Sequence, residues 1–78
     1  MADDRHQTTD LRWRRMALTR MERDALREAQ SLAAKGRTMG RRRIVSMQGL
    51  EEAGLVQRVE RGGVIVDWML TSEGAAHG

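Results

Sequence analysis

The spacing of apolar residues changes at Gly54, and this change limits the folds that the chain can adopt. Before Gly54, apolar residues recur at helical intervals in two segments, and after it they alternate with polar residues. The first segment predicts a helix over residues 19–35, in which Thr19 and Glu22 have the spacing of a capping box. The second predicts a helix over residues 41–53, which Gly54 ends.

The alternating part of the chain predicts a β-hairpin. Residues 55–60 and 64–71 have the pattern of strands, and the sequence Arg61-Gly62-Gly63 between them tolerates the positive φ values of a tight turn. Residues 10–17 fit a short helix or a short strand equally well. The order of elements therefore predicts an α+β domain with two or three helices followed by a hairpin.

Length and composition restrict the kinds of site that are expected. With 78 residues there is room for one domain, over residues 10–72, between a disordered tail at 1–9 and a flexible tail at 73–78. The chain has no cysteine, and His6 and His77 lie at opposite ends, so we expect no metal site, no cofactor and no catalytic set. No apolar run approaches the ~18 residues of a membrane span, and we expect a cytoplasmic protein without a membrane partner.

The basic residues are almost all arginine. Of 14 basic side chains only Lys35 is a lysine, against 11 acidic ones, and the net charge is +3. Arginine suits bidentate contacts with phosphate and with guanine, although a GC-rich genome produces the same bias. Trp13 and Trp68 are the only aromatic residues, too few for a stacking platform. We expect Trp68 in the core, and Trp13 at the core edge or on a partner surface.

The apolar positions on the inner faces of these elements predict a small core. It is expected to contain Leu26, Leu32, Ile44, Met47, Leu50, Leu55 and Val66.

Two phrases give the chain a resemblance to a known family. "LEEAGLV" at residues 50–56 and "LTSEG" at residues 70–74 resemble the end of the recognition helix and the end of the wing in bacterial winged helix-turn-helix regulators. The resemblance covers residues 18–74 and implies a winged-helix-like fold that binds double-stranded DNA. The family has a short helix before its recognition helix, where this chain has only residues 36–40.

In the light of that resemblance, the predicted helix 41–53 presents a DNA-reading face. A helical wheel places Ile44, Met47 and Leu50 together on the inner side. The other side carries the candidate DNA-binding residues Arg41, Arg42, Val45, Ser46, Gln48 and Gly49. Arginines donate to phosphate or guanine, glutamine pairs with adenine, and valine packs against a thymine methyl group.

The charge order of this helix also points to a polyanion. Arg41, Arg42 and Arg43 open it and Glu51 and Glu52 close it, which opposes the helix dipole at both ends by a few tenths of a kcal/mol each. Contact with DNA at the front of the helix would explain this order. The alternative is a solvated run of charge.

The hairpin supplies the second group of candidates. By resemblance to the wing of the family, Arg58, Arg61 and Gly62 are expected to contact the DNA backbone or the minor groove. The sequence thus predicts a small DNA-binding transcriptional regulator of a phage or mobile element, which a homodimer would suit. The alternative is a winged-helix protein-interaction module, an adaptor or inhibitor that binds another protein and not DNA.

Overall fold

A computed structural model describes residues 17–78, and the predicted first helix is confirmed there. Helix α1 spans Arg20–Ala34, and Thr19 and Glu22 form the capping box, with Glu22 N 3.1 Å from Thr19 Oγ1. At the other end, Gly36 has φ 72°, and Arg37 N lies 2.8 Å from Leu32 O. This left-handed glycine ends the helix and turns the chain towards the next element.

The second helix begins later than its sequence pattern predicts. Helix α2 spans Ile44–Glu52, so Arg41 and Arg42 lie in the preceding turn and not on the helix. Arg43 is the N-cap and has the left-handed φ of 53°, which interrupts the helical path. The expectation of a helix from residue 41 is wrong, because side chains distant in the sequence hold this turn and helical periodicity does not indicate them.

The predicted hairpin is confirmed, with one irregularity. Strands β1, Val56–Arg61, and β2, Val64–Leu70, pair antiparallel around the Gly62–Gly63 turn. Val59 pairs with Asp67 and the next pair is Glu60 with Ile65, so the ladder passes over Val66. Such a bulge changes which face successive residues occupy.

The core lies between α1, α2 and the base of the hairpin. Leu26, Met47, Leu50, Leu55 and Trp68 are buried, as predicted. The bulge changes the prediction for β2, where Val66 is only half-buried, while Val56 of β1 is 2% exposed. The half-buried Leu32 and Ile44 pack against the edge of this core and not inside it.

A third helix follows where the sequence suggests a flexible tail. Helix α3 spans Ser72–Ala76, and Thr71 Oγ1 caps it by accepting from Gly74 N at 3.0 Å. Gln30 Nε2 of α1 donates to Gly74 O and to His77 O, each at 2.8 Å. These contacts attach the end of the chain to the first helix.

Residues 17–78 thus form a small α+β domain in which an antiparallel two-stranded hairpin follows the first two helices. None of these helices combines the length and the apolar character that are needed to cross a bilayer. The segment 10–17, for which a helix and a strand were both open, lies outside the described residues except for Ala17.

Candidate nucleic-acid interface

The turn before α2 concentrates positive charge beside one carboxylate of α1. Arg43 Nε lies 3.0 Å from Glu28 Oε1, and Arg42 Nη1 lies 3.3 Å from Glu28 Oε2. Arg42 Nε also donates to the carbonyl oxygen of Met39 at 3.2 Å. Arg41 is exposed and its side chain forms no ion pair with any residue of the range 17–78. Three arginines and one glutamate leave a net charge of +2 at this point.

The N-terminus of α2 directly follows this turn, which spans residues 40–43 and is named the arginine turn. Arg43 makes no side-chain hydrogen bond to cap the helix, so the first backbone N–H groups of α2 have no capping side chain. The positive end of the helix dipole therefore adds to the charge of the arginines. This combination favours an anion in front of the helix.

The solvent side of α2 carries two of the predicted base-reading residues. Val45 is 82% exposed, and Gln48 is exposed one turn further along the helix. Ser46 and Gly49 are half-buried and lie at the margin of this face. The structure therefore leaves Val45 and Gln48 as an accessible row on α2, with Arg41 exposed in the turn before the helix.

The predicted wing contacts divide into two kinds. Arg58 binds Glu51 through two nitrogens, with Nη2 2.7 Å from Oε1 and Nε 2.9 Å from Oε2, and it also reaches Glu60 at 3.3 Å. Arg61 and Gly62 lie exposed at the turn of the hairpin. Arg58 is thus held by two carboxylates, whereas Arg61 has no ion pair with the residues that the structure covers.

The contacts of Arg58 also shift the pKa values of Glu51 and of Arg58 itself. Its side-chain hydrogen bond lowers the pKa of Glu51, against a smaller effect of burial. The hydrogen bonds to Glu51 and Glu60 raise the pKa of Arg58 above its ordinary value. These contacts favour the charged forms of Glu51 and Arg58, and the cluster of Glu51, Arg58 and Glu60 contains two acidic groups and one basic group.

Asp67 anchors the arginine turn to the sheet. Its Oδ1 accepts from Gly40 N at 2.9 Å and from Trp68 N at 2.8 Å. Burial raises the pKa of Asp67, but hydrogen bonds from Thr38, Trp68 N–H and Gly40 N–H outweigh it and leave that pKa below its ordinary value. Asp67 stays ionised and fixes the start of the turn.

Sequence reasoning missed both carboxylates that shape this site. Glu28 and Asp67 lie on separate elements, far along the chain from the turn that they hold. The opposite charges of Glu28 and the arginine run are visible in the sequence, but nothing in their spacing indicates that the two groups meet.

An open apolar groove lies on another part of the surface. It has a volume of about 340 Å³ between the C-terminal half of α1, the connection over residues 36–39 and β2. Met39 and Trp68 contribute to its lining, and the adjacent Met69 is 58% exposed. Trp68 Nε1 is buried and donates to no acceptor among residues 17–78. In the range 17–78, no three His, Cys, Asp or Glu side chains are grouped in a way that could hold a metal ion.

No protein-family model, no curated protein and no solved structure matches the chain.

Proposed function

We propose that the protein binds double-stranded DNA as a small winged-helix-like regulator, with α2 in the major groove and the hairpin as the wing. The observation that carries this proposal is the exposed row of Val45 and Gln48 on α2, together with the exposed Arg41 in the turn before the helix. A helix that reads the major groove uses its N-terminal residues for base contacts. The charged end of α2 is the end that would enter.

Electrostatics support this orientation. The net charge of +2 at the arginine turn and the positive end of the helix dipole both attract phosphate. The negatively charged cluster of Arg58, Glu51 and Glu60 lies towards the other end of α2. DNA would therefore approach the N-terminal end of α2 and avoid its C-terminal end.

The row on α2 has the chemistry for reading bases. The amide of Gln48 both donates and accepts, which matches the N6 and N7 positions of adenine. Val45 offers two exposed methyl groups to a thymine methyl. We assign Arg41 to phosphate or guanine at the edge of the site, and Arg61 with Gly62 to the neighbouring backbone. Arg58 contributes less, because Glu51 and Glu60 already neutralise it.

Binding to a mixed-sequence duplex, followed by fluorescence anisotropy at two salt concentrations, tests the proposal. The wild type should bind, and its affinity should fall steeply as salt rises, because neutralised phosphates release counterions. Arg41→Ala should weaken binding more than Arg27→Ala, which removes the same charge on α1 beside His77 and Gly78. A wild type that shows no salt-dependent binding at low ionic strength would refute the proposal.

A second candidate function is a protein-interaction module. The groove beside Trp68 favours it, because an open apolar surface suits an apolar side chain of a partner. A partner captured from lysate of the source cells should then be lost with Ala33→Arg, which fills the groove, and kept with Arg41→Ala. Loss with Arg41→Ala alone would contradict the groove as the docking surface.

A further inference from the structure

We propose that Glu28 acts as a built-in competitor of the DNA backbone, because its carboxylate holds Arg42 and Arg43 in the way that a phosphate group would. This inference rests on the proposed function. According to this inference, Glu28, which lies outside the predicted interface, controls how strongly that interface binds DNA.

The geometry of the cluster is that of an anion shared by two guanidinium groups. Each carboxylate oxygen of Glu28 takes one arginine, at 3.0 Å from Arg43 and 3.3 Å from Arg42. Carboxylate and phosphate both present two oxygens to the fork of an arginine side chain. A phosphate can therefore replace Glu28 without a change in the kind of contact.

The exposure of the three side chains makes the exchange accessible from solvent. The side chain of Arg42 is 60% exposed, that of Arg43 is 41% exposed, and that of Glu28 is 30% exposed. Ion pairs with this degree of exposure are weak. A DNA phosphate that arrives in front of α2 meets donors that are occupied but not buried.

A second contact keeps Arg42 in place during the exchange. Its Nε donates to the carbonyl oxygen of Met39, which does not involve Glu28. When Glu28 releases Arg42, the guanidinium stays anchored at one nitrogen and the terminal nitrogens face the incoming phosphate. The turn therefore does not need to refold to bind DNA.

The consequence is a lower affinity and a weaker salt dependence than the three arginines alone would give. While Glu28 stays beside the arginines, its charge offsets part of the positive charge that would otherwise neutralise DNA phosphates. Fewer counterions are then released on binding, and the slope of log affinity against log salt is smaller.

The variant Glu28→Gln tests this inference against the matched control Asp24→Asn. Both remove one negative charge from α1, and Asp24 forms no ion pair with the residues in the described part of the chain. Anisotropy with the same duplex should show tighter binding for Glu28→Gln than for Asp24→Asn, by about three- to tenfold, which is the worth of two exposed ion pairs. The salt slope of Glu28→Gln should also be steeper, by about 1 to 2.

A second variant keeps the net charge unchanged and guards against misfolding. Glu28→Asp shortens the side chain, so its carboxylate withdraws from both arginines, and it should bind more tightly than the wild type but less so than Glu28→Gln. The same comparison is repeated in a protein that carries both Arg42→Ala and Arg43→Ala. In that protein, Glu28→Gln and Asp24→Asn should change the affinity for DNA equally.

The outcomes separate this inference from the proposed function. If the wild type fails to bind DNA, both are overturned. If the wild type binds in a salt-dependent manner while Glu28→Gln and Glu28→Asp give no gain over their controls, the proposed function stands and the role of Glu28 is overturned.

Discussion

Gly74 of α3 packs so closely against Leu55 that a β-carbon on Gly74 would overlap the carbonyl oxygen of Leu55. That oxygen also accepts a hydrogen bond from Thr71 N at 3.1 Å, so it cannot move aside freely. We therefore expect Gly74→Ala to lower the free energy of unfolding by about 1–3 kcal/mol, as overpacking does, although alanine is the better helix former. Thermal and urea unfolding would measure this change. Gly78→Ala is the control, because within the described part of the chain no atom beyond Gly78 and its neighbour lies within 4 Å of the added carbon.

Arg43 should tolerate glycine better than alanine. Its φ of 53° is left-handed, which costs a residue with a β-carbon about 1–2 kcal/mol. Both Arg43→Ala and Arg43→Gly lose the ion pair with Glu28, but only glycine relieves the backbone. Urea unfolding should find Arg43→Gly more stable than Arg43→Ala by about 1 kcal/mol. The opposite order would mean that the residue is helical in solution.

Leu50 should stabilise the domain mainly through the burial of its side chain. It is 0% exposed, and truncation to alanine should cost about 2–5 kcal/mol, a large part of the total for a domain of this size. Val45→Ala on the same helix removes an exposed side chain and should change the free energy of unfolding by less than about 0.5 kcal/mol. Equal melting temperatures for the two variants would contradict the orientation of α2.

Asp67 should make stability depend on pH in the acid range. Because hydrogen bonds lower its folded-state pKa, its stabilisation is complete above the ordinary value of about 3.9 and is lost as the pH falls through the lower, folded-state pKa. Asp67→Asn should cost about 1 kcal/mol at neutral pH, through weaker hydrogen bonds to Gly40 and Trp68, and should flatten the acid dependence. Urea unfolding at a series of pH values, with Asp24→Asn as the control, would measure both effects.

Gln48 and Arg61 should affect DNA binding differently. An amide reads base edges and neutralises no phosphate, so Gln48→Ala should reduce the preference among sequences more than the general affinity. Arg61→Ala should lower affinity for all sequences alike and reduce the salt slope by about 1. Competition with duplex libraries and salt titrations would separate these effects. Equal loss of selectivity in both variants would argue against the assignment of α2 as the reading element.

Local signals predicted most of the elements. The capping box at Thr19 and Glu22, the glycines 36, 54, 62 and 63 and the alternation in the hairpin each involve residues close in the chain. Such local signals do not depend on the tertiary fold, so the sequence alone predicts the elements that they form. Helix α3 was missed because Thr71 and Gly74 form an isolated cap in a segment of small residues, and its attachment depends on the distant Gln30.

The candidate site was predicted only in part. Val45 and Gln48 are exposed as predicted, because helical spacing places Met47 and Leu50 inward, whereas Arg41 is exposed in the turn before the helix. The ion pairs of Arg42 and Arg58 could not be foreseen, because a charge pattern does not show which carboxylate another element will bring close. The sequence predicts Arg58 as a DNA contact, whereas in the structure its guanidinium forms ion pairs with Glu51 and Glu60.

The sequence by itself thus determined helix α1, the hairpin and the apolar face of α2, because short-range hydrogen bonds and hydrophobic periodicity act between near neighbours. Only the tertiary structure decided where α2 begins. Asp67 binds Gly40 across 27 positions of the chain, and Glu28 of α1 holds Arg42 and Arg43. These contacts exist only after α1 and the hairpin have packed around the turn, so no signal between near neighbours in the chain indicates them.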